Sequence, residues 1–173
     1  MRLDLTRGIQ NKGVAVSFEL EETWDRDRWA GEEILYVQPV TFSGTYMIND
    51  ETVVVNGEAG TTIQSPCARC LSPVNTPVEA EVSEAFVRDK GEGGHPEEDQ
   101  YTYTGHILDL NDAVRSALLL ELPTRVFCRE DCRGLCPQCG TNLNIRACSC
   151  QKDPTRRNPF SALAVLLNED EEV

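Results

Sequence analysis

Six cysteines crowd into the 23 residues from Cys128 to Cys150, and two more stand apart at Cys67 and Cys70. Thiols at this density must be disulfides, buried free thiols or metal ligands, and the spacing separates these readings. Cys67-Ala68-Arg69-Cys70 and Cys136-Pro137-Gln138-Cys139 each leave two residues between sulfurs, a turn short enough to aim both at one ion. Gly140 frees the backbone to turn directly after the second pair. Cys148-Ser149-Cys150 places both side chains on one side of an extended chain. Only eight residues separate Cys139 from Cys148, so Cys136, Cys139, Cys148 and Cys150 are expected to form a compact, ribbon-like site. Cys128 and Cys132, with a three-residue gap, are left to join Cys67 and Cys70. Soft thiolates in fours suit tetrahedral Zn²⁺, so two ions in two all-cysteine sites are expected. The alternative to the second site is a single ion in the C-terminal segment, with Cys67 and Cys70 serving as a packed turn.

The zinc reading depends on compartment. Met1-Arg2-Leu3-Asp4-Leu5-Thr6-Arg7-Gly8 carries charges where a secretion signal needs an apolar run. No stretch approaches the roughly 18 apolar residues of a membrane span. A cytoplasmic protein is expected, and disulfides are rare there.

The 173 residues suffice for one domain and a small appendage, and a hydrophobic content of 40% supports a core. Val14, Val16, Phe18 and Leu20 alternate with smaller or polar residues, the period of a half-buried strand. Ile34, Tyr36, Val40, Phe42, Tyr46 and Ile48 extend the pattern. Asn49-Asp50 offers turn chemistry before Thr52-Val53-Val54-Val55. Val78, Ala80, Val82 and Phe86 give another strand, and short connections favour antiparallel pairing. Residues 89–100 read as a solvated loop. Leu110, Val114, Ala117 and Leu118 share one helical face, with Asp109 or Asn111 able to cap it and Pro123 ending it. Asn158-Pro159 opens a last helix striped by Phe160, Leu163 and Leu167. The expected fold is α+β: an antiparallel sheet with one packed helix over residues 1–124, then a zinc-bound segment and a short terminal helix over residues 125–173.

The formal net charge of −13 argues against a protein that coats nucleic acid. Residues 125–157 oppose the trend, with seven cations against three carboxylates, a balance of +4. Each Zn²⁺ in four thiolates carries −2 in total, so two sites would take the whole protein to about −17 and this segment to about +1. Arg129, Arg133, Arg146, Arg156 and Arg157 are the candidate RNA contacts, with a solvated surface as the plainer reading.

Nothing in the sequence resembles a catalytic centre. Four cysteines saturate a zinc ion, whereas catalytic zinc keeps a position for water. His95 and His106 stand at no ligand spacing from one another, and Gly91-Glu92-Gly93-Gly94 lacks the Lys and the strand–helix context of a phosphate loop. No catalytic residue, organic cofactor or small-molecule substrate is expected.

Four blocks, in this order, resemble the YceD family, the large ribosomal RNA subunit accumulation proteins. They are Cys67-Ala68-Arg69-Cys70-Leu71, Leu120-Glu121-Leu122-Pro123, the run from Gly134 through Cys136-Pro137-Gln138-Cys139-Gly140-Thr141 to Asn144, and Asn158-Pro159-Phe160-Ser161-Ala162-Leu163. The resemblance covers residues 60–168. It implies a non-enzymatic factor supporting accumulation or assembly of large-subunit (23S) ribosomal RNA, with that RNA or a pre-ribosomal particle as partner. The acidic sheet suggests an alternative: a module or chaperone that holds a basic ribosomal protein.

Overall fold

The computed structural model of the chain describes residues 1–89 and 100–150. The helix expected from Asn158, with Arg156, Arg157 and His95, falls outside the described residues. The elements run β1 (Arg2–Asp4), α1 (Thr6–Gln10), β2 (Val16–Glu22), β3 (Arg26–Trp29), β4 (Glu32–Tyr36), β5 (Val40–Asn49), β6 (Thr52–Pro66), β7 (Pro73–Arg88), β8 (Tyr101–Tyr103), β9 (Ile107–Asp109) and α2 (Asn111–Leu120). The chain is α+β and mostly antiparallel sheet, as its alternating pattern implies.

β6 is the spine of a seven-stranded sheet. β7 pairs with it antiparallel along its whole length, from Thr52↔Val87 to Pro66↔Pro73. Along the other edge, β5 pairs with the first part (Thr41↔Gly60 to Asn49↔Thr52) and β4 with Ile63 and Gln64. β2 pairs with β5, β3 with β4, and the short β8 runs parallel to the end of β7. Gly44 and Gly57 face each other in this ladder. A Cβ on Gly44 would lie against the Asn56 carbonyl and one on Gly57 against the Ser43 carbonyl, so the backbones need both glycines.

One face of the sheet carries Ile34, Val40, Phe42, Val53, Val55, Ile63 and Phe86, all at 1% exposure or less. α2 buries Ala113, Val114 and Leu118 in this same core. Leu110 occupies the cap position with no side-chain cap, while the Asp109 carboxylate accepts the Asn111 N–H at 3.0 Å. A separate ribbon pairs β1 with β9, and its Leu3 and Leu108 join the core. Arg115 on α2 meets Asp27 on β3 at 2.9 Å.

The chain divides into two compact units, Met1–Cys132 and the remainder from Arg133. Cys128 and Cys132 therefore belong to the sheet-bearing unit. Among the described residues no helix is long and apolar enough to cross a membrane.

Candidate metal centres

The first cluster sits at the tip of the β6–β7 hairpin. Pro66↔Pro73 closes the ladder and residues 67–72 make the connection. The turn is fixed by two backbone bonds: Cys67 N–H donates to the Ser72 carbonyl at 2.8 Å and Leu71 N–H to the Cys67 carbonyl at 2.9 Å. Beyond α2 the chain returns beside this tip, where Ala68 N–H donates to the Val126 carbonyl at 2.8 Å. That hydrogen bond brings Cys128 and Cys132 to Cys67 and Cys70. The sulfurs of Cys67 and Cys132 lie 3.9 Å apart, those of Cys70 and Cys128 3.6 Å apart. A tetrahedron of sulfurs at about 2.3 Å from a zinc ion has edges of about 3.8 Å. Three of the four cysteines are buried, with Cys128 exposed.

The second cluster repeats the turn within the other unit. Cys136 N–H donates to the Thr141 carbonyl at 2.8 Å and Gly140 N–H to the Cys136 carbonyl at 2.9 Å. Leu135 and Asn142 bridge beneath it. The Asn142 carboxamide accepts the Asn144 N–H at 2.9 Å, and that of Asn144 accepts the Arg133 N–H at 2.8 Å. Cys148 and Cys150 complete the set, and within each cluster all four sulfurs lie within 4.8 Å of one another. Cys139 is exposed while Cys148 and Cys150 are half-buried, so this cluster is the more open of the two.

The donors around the sulfurs explain how negative charge is held. Burial pushes the Cys67 thiol up, but the N–H groups of Arg69, Cys128 and Cys70 outweigh it and bring the group down to about 6. The Ser72 hydroxyl, 3.4 Å from the Cys70 sulfur, lowers that thiol too. Cys128 is pushed up to about 12, by burial first and then by the sulfurs of Cys70, Cys132 and Cys67. In the second cluster the hydroxyl and N–H of Thr141 lead in lowering Cys139 to about 6, and Cys139 in turn leads in pushing Cys150 up to about 12. Each cluster thus stabilises some thiolates and, through their charge, opposes ionisation of the rest. A dication at the centre removes that conflict. Both sets are compatible with zinc.

Arg69 is a participant that spacing did not single out. Its Nη1 donates to the carbonyls of Glu130 and Cys132, both at 3.1 Å, and its guanidinium carbon stands 4.7 Å from the centre of the Phe127 ring. It ties the hairpin tip to the loop bearing Cys128 and Cys132. The one available signal was its position inside the Cys67–Cys70 turn. Of the candidate RNA contacts, Arg129, Arg133 and Arg146 are exposed, and the first pairs with Asp131 at 3.4 Å. His106 joins neither cluster; its carbonyl accepts the Leu5 N–H at 2.9 Å.

A sheet protein carrying two four-cysteine clusters, one at a hairpin tip and one in a compact segment, defines the class. The chain belongs to the YceD family, described as large ribosomal RNA subunit accumulation protein YceD, which it matches over residues 55–167. An uncharacterized protein of Mycobacterium tuberculosis is 40% identical over 152 residues, covering 83% of this chain and 70% of its own length. The uncharacterized protein YlbN of Bacillus subtilis is 26% identical over 159 residues, covering 90% and 91%. A chloroplastic protein of Arabidopsis thaliana named large ribosomal RNA subunit accumulation protein YCED homolog 1 is 35% identical over 46 residues, 27% of this chain and 14% of its own. No solved structure matches the chain.

Proposed function

We propose that this chain is a non-enzymatic zinc-binding factor of the cytoplasm that supports accumulation or assembly of large-subunit ribosomal RNA. The observation that carries the proposal is the family match over residues 55–167, a span that includes all eight cysteines of the two clusters. Cys67, Cys70, Cys128 and Cys132 would hold one Zn²⁺ and Cys136, Cys139, Cys148 and Cys150 the other. Four thiolates fill each tetrahedron, leaving no position for an activated water, so the metals serve the fold. Arg129, Arg133 and Arg146, with Arg156 and Arg157, would meet RNA phosphates, on the ribosomal RNA itself or within a pre-ribosomal particle. Crosslinking in cells followed by sequencing tests this: enrichment of large-subunit ribosomal RNA supports the role, and a profile no different from an untagged control defeats it.

A second reading is favoured by one feature of the outer sheet face. Glu58 on β6 stands directly opposite Glu81 on β7, a like-charge pair that costs stability. Both carboxylates, with Glu79, line an open trough of about 400 Å³ over Thr41, Ser43 and Gly60. None of the three has an ion-pair partner among the described residues. A basic ribosomal protein would relieve this repulsion. Binding to such a protein and not to RNA supports this reading over the first.

A further inference from the structure

We infer that Phe127 and Leu71, beside the first cysteine cluster, form a seat for one unpaired base of RNA, with the exposed Arg125 and Arg129, two residues either side of Phe127, as the cations for the flanking phosphates. The inference rests on the RNA reading above and adds an apolar site to the candidate arginines, of which it uses Arg129. Among the described residues Phe127 is the one exposed aromatic, at 40%; the other rings are buried in the core or packed against it. Its ring is not loose. The Arg69 guanidinium lies over it at 4.7 Å and is itself pinned by the Glu130 and Cys132 carbonyls. A backed, preorganised ring surface presented to solvent is what a base stacks on.

Leu71 supplies the second observation. The turns at Cys67–Ser72 and Cys136–Thr141 make the same two backbone bonds, and the residue after the second cysteine is left-handed in both. At that place the second turn has Gly140 (φ 70), which bears the conformation without strain, and the first has Leu71 (φ 59). Leu71 is 64% exposed, so no burial compensates for the strain. A strained, exposed leucine follows Cys70, whose sulfur is 3.6 Å from that of Cys128, the residue after Phe127. Both apolar groups therefore rim one cluster. The sequence Arg125-Val126-Phe127-Cys128-Arg129 interleaves cations with the aromatic, and all but Val126 are exposed. A base has a flat apolar face to stack on the ring, and its phosphates can pair with Arg125, and with Arg129 in exchange for Asp131.

The test uses the full chain loaded with zinc and two probes: a single-stranded oligouridine of about twelve nucleotides and the same strand with abasic riboses. The parent is expected to bind the base-bearing strand about tenfold more tightly than the abasic one. Phe127→Leu should weaken binding to the base-bearing strand about tenfold and leave the abasic strand unaffected, with zinc content and salt slope unchanged. Phe127→Trp should restore the preference. Equal binding of parent and Phe127→Leu to the base-bearing strand overturns the seat and leaves the RNA role standing. Equal weakening on both strands assigns Phe127 to holding the loop and also overturns it. A parent that binds neither strand at low salt, yet captures a basic protein, overturns the RNA role and the seat together.

Discussion

Leu71 and Gly140 occupy one place in two matching turns, and the difference between them is measurable without RNA. The left-handed conformation costs a non-glycine residue about 1–2 kcal/mol, part of which glycine returns as chain entropy in the unfolded state. Leu71→Gly is therefore expected to raise stability by up to about 1 kcal/mol, and Gly140→Ala to lower it by about 1 kcal/mol or more. Denaturant midpoints at unchanged slope would show this, and a Leu71→Gly variant less stable than the parent would mean that the leucine packs on something. The grouping of Cys136, Cys139, Cys148 and Cys150 was legible in the spacing because a two-residue gap and a short loop are local properties, whereas Cys128 and Cys132 were joined to Cys67 and Cys70 only as the remainder. Arg69 was not legible, because its partners are backbone carbonyls more than 60 residues away, Glu130 and Cys132. A carbonyl has no sequence signature, so a side chain that acts on one leaves no trace in composition.

The β6–β7 hairpin is the element that makes the first cluster possible, and it was only partly readable. Val53 and Val55 announce β6, yet inward positions further along are Gly57, Ala59 and Thr61, too small to register as alternation. At Gly57 the ladder needs room: this residue faces Gly44 on β5, and a side chain there would meet backbone. Gly57→Ala is expected to cost about 1–3 kcal/mol, read as a shifted thermal midpoint, whereas Ala at the outward Glu58 should cost nothing and relieve repulsion with Glu81. The second half of β7 was legible from Val78, Ala80, Val82 and Phe86, but its first half, with Pro73 and Pro77, was not. Among the described residues β8 covers β7 at Phe86–Arg88, so the first part of β7 is an outer edge where a missing N–H is tolerated. The β1–β9 ribbon was invisible for another reason: three-residue strands carry no period, and their partners lie over 100 residues apart. α2 was legible from its apolar face, and Leu118→Ala should cost about 2–5 kcal/mol through the cavity it leaves. Because the hairpin tip and the later turn lie in different units, the two clusters, if each holds an ion, should fail separately. Cys70→Ser is expected to raise hydrogen exchange at 67–72 and 126–132, and Cys139→Ser at 133–150, since a structural ion contributes folding free energy where it binds. Identical exchange maps for the two variants would contradict separate sites.

Over the whole molecule, charge sets the terms on which any partner is met. The chain carries −13 before its thiols are counted, and two ions in four thiolates each would bring it near −17. Elemental analysis of protein purified without chelator should therefore find close to two zinc ions per chain; one would leave a single filled cluster, and none would remove the metal from the account. An RNA partner must be met by local cations against this acidic background. Replacing Arg129, Arg133 and Arg146 with Gln should weaken RNA binding and flatten its salt dependence by about 0.7 in slope for each phosphate no longer neutralised, because each cation that docks on a phosphate releases condensed counterions. Zinc content and fold should be unchanged, since these side chains are exposed and the clusters are built from cysteines. The outer sheet face makes the opposite demand. Neutralising Glu58, Glu79 and Glu81 should leave RNA binding intact or tighten it slightly, by removing repulsion. If a basic protein is the partner, the same change should slow its association, since exposed charges act mainly on the on-rate. Measuring both variants against both ligands gives four outcomes, and the two readings predict different pairs. An arginine variant with unchanged affinity and salt slope for ribosomal RNA would sink the RNA interaction at those residues. Unchanged association of a basic protein with the carboxylate variant would sink the sheet face as a docking surface. The design discriminates because the two sets carry opposite charge, the glutamates on β6 and β7 and the arginines in the cysteine-bearing stretch after α2, so each variant tests one kind of partner.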